Sequence, residues 1–290
     1  MKIIANPVAG HGQGKRWIKR LHRLLRDKPL KYELLETQGP GHAAQLAREL
    51  ADGGERRIIA MGGDGTISEV ASALVETDLE LGLIPVGTGN DLARSLQIPF
   101  NDLDAALEVL REGRIRRIDV GRERDRTFLL MTAFGYPSLV AEETNKMRRL
   151  KGSAAFFIAV CKALHRMQVV RIRMVLDGRS QQLECTSVLV QNTPYCGGGQ
   201  LLAPGASMED GLLDVVVIGP VGKLSLMAHF PKVYRGTHVG HPSFSIFQAR
   251  RVEIQTEFPM PKMFDGDLHG TTPIEAISVP GALSVVVPLE

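Results

Sequence analysis

Cysteine is scarce. Three occur in 290 residues, Cys161, Cys185 and Cys196, an odd number without CxxC spacing, which argues against a disulfide framework and against a zinc site. A reducing cytosol is the expected compartment. Long apolar runs are missing too: no stretch reaches the roughly 20 apolar residues of a spanning helix, and residues 1–6 (MKIIAN) read as a strand without the apolar core of a signal peptide. A soluble or peripheral protein is expected. Nor are there segregated Lys/Arg blocks. The 35 basic and 32 acidic residues leave a net charge of +3, a mildly basic surface that suits anionic small molecules or lipid surfaces better than nucleic acid. Internal repeats, low-complexity tracts and long linkers are likewise absent.

What is present is globular composition, 44% hydrophobic and 23% charged, at a length that suggests two domains. Glycine is the outlier: 30 residues, above the usual share of about 7%, gather in clusters where backbone must turn tightly or approach a ligand. Over residues 2–120 short β-branched runs alternate with helical segments (KIIAN, KRWIKRLHRLLR, KYELLET, HAAQLARELA, RRIIAMGG, TISEVASALVE, ELGLIPVG). Strict alternation predicts a parallel sheet covered by helices, with ligands at the carboxyl ends of its strands, where the glycines fall. After Gly121 longer strand-like runs dominate, TFLLMTAF, VVRIRMVL, CTSVLVQN and LLDVVVIG among them, with helical stretches near 137–166 and 223–235. The expectation is an α/β domain with a parallel sheet over residues 1–121 and a β-rich domain over 122–280, abutting to form a cleft. The last strand, 281–290, is a candidate to pack back onto the first domain.

Three glycine clusters in the first half leave strands. Asn6-Pro7-Val8-Ala9-Gly10 continues through Gly14-Lys15 into a basic helix, and free amides at a helix start with Lys15 and Arg16 suit a phosphate. It is not a Walker A loop, because Ala9 stands where the first glycine belongs and Arg16 where Ser/Thr belongs. Gly62-Gly63-Asp64-Gly65-Thr66 forms a tight turn whose amides can wrap phosphates, with Asp64 serving Mg²⁺ or nucleotide orientation, or else capping a helix that starts at Thr66. Gly87-Thr88-Gly89-Asn90-Asp91 repeats the arrangement at the next strand end. Each loop alone can be a ligand-free turn; three together point to a polyphosphate.

Phe264-Asp265-Gly266-Asp267 sets two carboxylates on one turn, although Asp-Gly is also an ordinary hairpin turn. It is not an EF-hand, since His269 and Ala276 occupy ligand positions. His238 and His241 lack the spacing and the Glu of HExxH and read as surface or loop histidines. Lys146-Met147-Arg148-Arg149-Leu150-Lys151 leads an apolar stretch from Gly152 to His165, which reads either as a membrane-drawing element or as a packed helix with a solvated start.

Asn-Pro-x-x-Gly at Asn6, GGDGT followed by Glu69, GTGNDLAR and the late Asp-Gly-acidic turn together resemble the diacylglycerol kinase catalytic family. They stand close to its bacterial soluble lipid kinases, which are related to sphingosine kinases and distantly to NAD kinases. The resemblance covers nearly the whole chain. It implies that residues 1–121 are an α/β nucleotide-binding domain and 122–280 a β-rich sandwich domain, with ATP as phosphate donor, Mg²⁺, and a lipid alcohol such as diacylglycerol as acceptor. Carried over by position, nucleotide contacts fall on Asn6, Pro7, Val8, Ala9, Gly10, Thr37, Gly63, Asp64, Gly65, Thr66, Ile67, Ser68, Glu69 and Thr88. The catalytic pair falls on Asp265 and Asp267. A metal loop falls on the Asp210 carboxylate with the main-chain carbonyls of Ser207 and Leu212. Two positions depart from the family: Asp267 stands where Glu is usual, and Ala9 where Ser is frequent. The implied partners are ATP and a lipid acceptor at a membrane surface, with peripheral association and a homodimer left open. An NAD kinase-like enzyme acting on a soluble hydroxyl and a catalytically silent nucleotide-binding regulator are the alternatives.

Overall fold

The structure, a computed structural model, describes residues 1–26, 31–146 and 153–289, without the side chains of residues 11 and 153–157. The chain divides into two units, Met1–Val120 with Gly197–Gly199 and Val279–Glu290, and Gly121–Cys196 with Gln200–Ser278.

In the first unit the strands Glu33–Glu36, Lys2–Ala5, Arg57–Gly62 and Glu80–Pro85 are hydrogen-bonded in that order, all parallel. Ser284 and Val285 of the last strand add to this sheet, parallel to Glu80 and Leu81. Ile3, Ile4, Ile58, Ile59, Leu81 and Leu83 are all buried, the continuous apolar pattern of strands covered on both faces. The helix Gly14–Leu25 lays down Ile18, Leu21 and Leu25 at helical spacing against this core, with the charged remainder outward. The helices His42–Asp52, Asp64–Leu74 and Leu103–Glu112 complete the layers. The first glycine loop contains a short helix, Ala9–Gly12, that the sequence pattern does not announce.

The second unit holds antiparallel strands on two sheets. Phe244–Ala249, Leu213–Ile218, Ser187–Gln191, Met131–Gly135, Pro261–Phe264 and Asp267–Thr271 follow one another in the first. In the second, Arg251–Thr256 lies between the start of Ile274–Val287 and Val170–Leu176, which pairs with Arg179–Cys185. Phe134, Val188, Val190 and Val215 of one sheet share a core cluster with Val170, Ile172, Val252 and Ile254 of the other, so the expected sandwich is formed. The edge strand Arg179–Cys185 escapes the sequence reading because its RSQQLEC is polar and mostly exposed, with no apolar period to detect.

Two local expectations are corrected. The run TFLLMTAF, read as one strand, is split into Arg126–Phe128 and Met131–Gly135. The amides between and after the break turn aside to the carboxylate of Asp265. The helix expected from Thr66 begins at Asp64, with Gly63 at its N-cap. Of the basic stretch 146–151 and its lead into the apolar helix, residues 147–152 lie outside the described residues. The described helices there are Tyr136–Lys146 and Ser153–Arg166, and the latter buries Ala159, Ala163 and Leu164. Among the described residues no helix is long and apolar enough to cross a membrane.

Candidate active site

In the sheet order of the first unit, Lys2–Ala5 lies beside Arg57–Gly62, and Glu33–Glu36 lies on its far side. The connections after these two central strands therefore run to opposite sides, and such a switch point opens a crevice at the carboxyl ends of the strands. The first two glycine loops leave those strand ends, and the third leaves the neighbouring strand Glu80–Pro85. They are interlocked. Asn6 Nδ2 donates to Thr66 Oγ1 at 2.9 Å, while Asn6 Oδ1 accepts from Val8 N at 3.0 Å. A Cβ on Gly87 would come within 2.4 Å of the Gly63 Cα, and one on Gly10, whose φ is +59°, within 2.7 Å of the Val86 carbonyl oxygen. These glycines are required by close backbone approach and not by turn geometry alone.

Asp64 does not cap its own helix. Its Oδ2 accepts from Asn90 N and its Oδ1 from Asp91 N, both at 2.7 Å, so the carboxylate clamps the second loop to the third. Burial first, and then the charge of Asp91, hold its carboxyl above the usual value, while the amides pull the other way. Asp91 repeats the device: its oxygens accept from Gly198 N at 2.8 Å and Gly199 N at 2.6 Å. Asn90, fully buried and at φ 55°, closes the third loop by bonding Gly87 N at 2.9 Å and Gly87 O at 3.0 Å. Arg94 Nε donates to Gly89 O at 3.1 Å, with its guanidinium over the Phe100 ring.

The other nucleotide-contact positions are distributed unevenly around these loops. Glu69 turns to the helix His42–Asp52, accepting from Gly41 N at 2.9 Å and Ala43 N at 3.1 Å. It supplies the cap that Gly41 has no side chain to give. Ile67 is fully buried in the core, so only its backbone is available to a ligand. Thr37 ends the strand Glu33–Glu36, bonds Ala5 O through its amide and is nearly buried. Pro7 is half-buried, Ala9 is buried, and Val8, Gly65 and Thr88 are exposed, with Ser68 half-buried on the helix. Asn90, Asp91, Arg94 and the glycines 197–199 were not among the site residues read from the sequence. GTGNDLAR contained the first three, and three successive glycines, all at positive φ, were the available signal for the last.

In the second unit Asp265 and Gly266, at φ 45° and 102°, form the tip of the hairpin that pairs Phe264 with Asp267. The ordinary hairpin reading of Asp-Gly is thus correct as geometry, and the carboxylates are added to it. Asp265 turns inward: Oδ2 accepts from Leu129 N at 2.8 Å, and Oδ1 from Leu130 N at 2.8 Å and Met131 N at 3.0 Å. Asp267 is exposed, and no hydrogen-bond partner for its carboxylate is found among the described residues. Behind the turn, Lys262 Nζ is paired with buried Glu123 and donates to Pro273 O at 3.0 Å.

At the 203–214 turn, Asp210 Oδ1 accepts from Leu212 N at 2.9 Å and Ser207 Oγ from Glu209 N at 3.2 Å. Asp214, buried beside it, is pushed up to about 6 by burial and then by the charge of Asp210, against one bond from Gln248 at 3.3 Å. For Asp210 and Asp214 no partner cation is found among the described residues, and the Asp210 carboxylate with the main-chain carbonyls of its turn is a hard-oxygen donor set that fits Mg²⁺.

Two family models match the chain: the diacylglycerol kinase catalytic domain over residues 1–122, and the YegS C-terminal NAD kinase beta sandwich-like domain over residues 131–287. The diacylglycerol kinase of Mycobacterium tuberculosis is 34% identical over 296 residues, covering 98% of this chain and 94% of that protein. The diacylglycerol kinase of Bacillus subtilis is 29% identical, covering 100% and 96%. The crystal structure of a diacylglycerol kinase from Bacillus anthracis has the same fold, with a TM-score of 0.79 at 24% identity, covering 99% of this chain and 96% of that one. The chain belongs to the diacylglycerol kinase family, phosphotransferases with an alcohol group as acceptor.

Proposed function

We propose that the protein transfers the γ-phosphate of ATP to the hydroxyl of diacylglycerol or a related lipid alcohol. The observation that carries the reading is the interlock of three glycine loops at the carboxyl ends of one parallel sheet. The loops approach so closely at Gly63 and Gly87 that side chains are excluded there, and the amides of Asp64, Gly65 and Thr66, in the first turn of the helix Asp64–Leu74, are left without intrahelical acceptors for phosphate oxygens. The loop Asn6–Gly10, the helix start at Gly63–Ser68 and Thr88 receive the phosphates. Glu69 and Asp64 act by fixing helix and loop. Phosphoryl transfer asks little covalent help of a protein beyond alignment and an acceptor for the hydroxyl proton. Asp267, exposed and unengaged, takes that proton, and Asp265, its oxygens given to three amides, fixes the turn on which Asp267 stands.

Mg²⁺ would be held at the 203–214 turn by Asp210 and the carbonyls of Ser207 and Leu212, supplying charge that orders the turn. A radiolabelled-ATP assay with diacylglycerol in detergent micelles, run beside NAD and a lipid-free control, tests the reading. Label appearing in lipid supports it. Label in NAD favours a soluble-substrate kinase, and nucleotide binding without transfer to any acceptor favours a silent regulator; either result overturns it.

A further inference from the structure

The helix Lys223–Val233 is inside out. Its buried large side chains are Leu226 and Val233. Leu224 is 83% exposed, Met227 43%, Tyr234 46% and Val239, in the turn that follows, 43%. Other exposed large apolar residues, such as Val8, Ile115, Val169 and Phe258, are scattered singly through the sequence. Tyr234 keeps helical dihedrals, φ −66° and ψ −18°. At about 100° per residue, Leu224, Met227, Pro231 and Tyr234 therefore share one arc roughly 80° wide, its centre about 130° round the helix from that of the buried pair. Phe230 packs edge-on against Tyr234.

Along this stretch of sequence the charge has one sign. Residues 215–252 contain no Asp or Glu, while Lys223, Lys232 and Arg235 are all exposed on or beside the helix. Lys223 Nζ donates to the His165 carbonyl at 2.8 Å, which fixes it at one end of the arc. A soluble partner's core would satisfy the apolar arc but not this ring of cations. An apolar strip rimmed by Lys and Arg on a helix lying flat is the pattern that enters the boundary between headgroups and acyl chains of an anionic bilayer. By contrast, on the helix Ser153–Arg166 the only large apolar side chain found exposed among those described is Ile158.

We infer that the helix Lys223–Val233 and its continuation to Val239 are the surface by which this protein lies on anionic lipid membranes, with Leu224, Met227 and Tyr234 inserted and Lys223, Lys232 and Arg235 against the headgroups. The inference rests on the lipid-kinase reading for its purpose but not for its test. The full chain is sedimented with vesicles of phosphatidylcholine alone and of equal parts phosphatidylcholine and phosphatidylglycerol. The native chain binds the anionic vesicles. Leu224→Asp with Met227→Asp weakens that binding by at least about tenfold, and Lys232→Gln or Arg235→Gln by about fivefold each, with the effect screened by salt.

The same variants are assayed for phosphorylation of a water-dispersed short-chain diacylglycerol, which needs no docking, and of diacylglycerol embedded in vesicles. Loss confined to the embedded substrate supports the inference. Vesicle binding by the Asp double variant equal to native overturns it. So does a native dimer that becomes monomeric in that variant while vesicle binding persists, which assigns the face to a second copy. Vesicle binding lost as stated, with neither diacylglycerol phosphorylated by the native chain, keeps the membrane face and removes the lipid-kinase reading instead.

Discussion

Replacing Asp265 and Asp267 separately by Asn divides the acidic hairpin into support and chemistry. Asp265→Asn turns one acceptor oxygen into a donor among three amide hydrogens at 2.8, 2.8 and 3.0 Å. The amide can keep its oxygen toward the Leu130 and Met131 amides, but it then faces the Leu129 amide with a second donor. A hydrogen bond to a charged group contributes about 1.5–3 kcal/mol, and an amide left without an acceptor costs about 1–3 kcal/mol. Because these bonds are only part-buried, water recovers some of this, and about 2–4 kcal/mol is expected. At about 2–4 °C per kcal/mol for a domain of this size, Tm falls by about 4–16 °C. Asp267→Asn touches an exposed carboxylate and should change stability by no more than about 0.5 kcal/mol.

Turnover behaves in the opposite sense. Removing a general base costs about 10² to 10⁴ in rate, so Asp267→Asn is expected to lose that factor in kcat with its melting curve and ATP affinity near native. Asp267→Glu should retain measurable activity. The double Asn variant should be scarcely slower than Asp267→Asn, because the two residues serve one step. Differential scanning fluorimetry and lipid phosphorylation rates on the same preparations decide it. An Asp265→Asn protein that melts like native yet loses turnover, beside an active Asp267→Asn, would refute the division and make Asp265 the base.

Gly63→Val should abolish binding of an ATP analogue in calorimetric titration, because a Cβ there already approaches the Gly87 Cα to 3.2 Å and a branched side chain fills the space left to phosphate; unchanged affinity would remove this loop from the site. Asp210→Ala should eliminate a Mg²⁺-induced rise in Tm while leaving ATP affinity largely intact, and a native protein whose Tm ignores Mg²⁺ would end the structural-metal reading. His238, which the sequence suggests as a surface or loop residue, is instead fully buried in the short helix Thr237–Gly240, and burial holds its pKa below 6.5, against a smaller upward pull from the Leu202 carbonyl. A depressed histidine contributes stability above its unfolded value that is lost as pH falls from there through its folded value. Native Tm should therefore drop more steeply below pH 6.5 than that of His238→Gln, and parallel curves would exclude it as the titrating group.

The layers and the positions of the loops are legible in the amino-acid sequence. Alternating β-branched and amphipathic segments dictate a parallel sheet because apolar periods of two and 3.6 cannot exchange, and glycine clusters at strand ends mark where backbone must come close. The acidic hairpin was visible as an Asp-Gly turn, and the 203–214 turn was singled out only through the family resemblance. Tertiary structure decided what each carboxylate does, because hydrogen-bond partners lie far apart in sequence. Asp64 meets amides 26 and 27 residues away, Asp91 reaches Gly198 and Gly199 across 107 and 108, and Asp265 reaches Leu129 across 136. Such pairings leave no local period or spacing to read. The same holds for Leu224 and Met227, whose sequence suits a buried helix as well as an exposed one. Only the packing of Leu226 and Val233 turned their face outward.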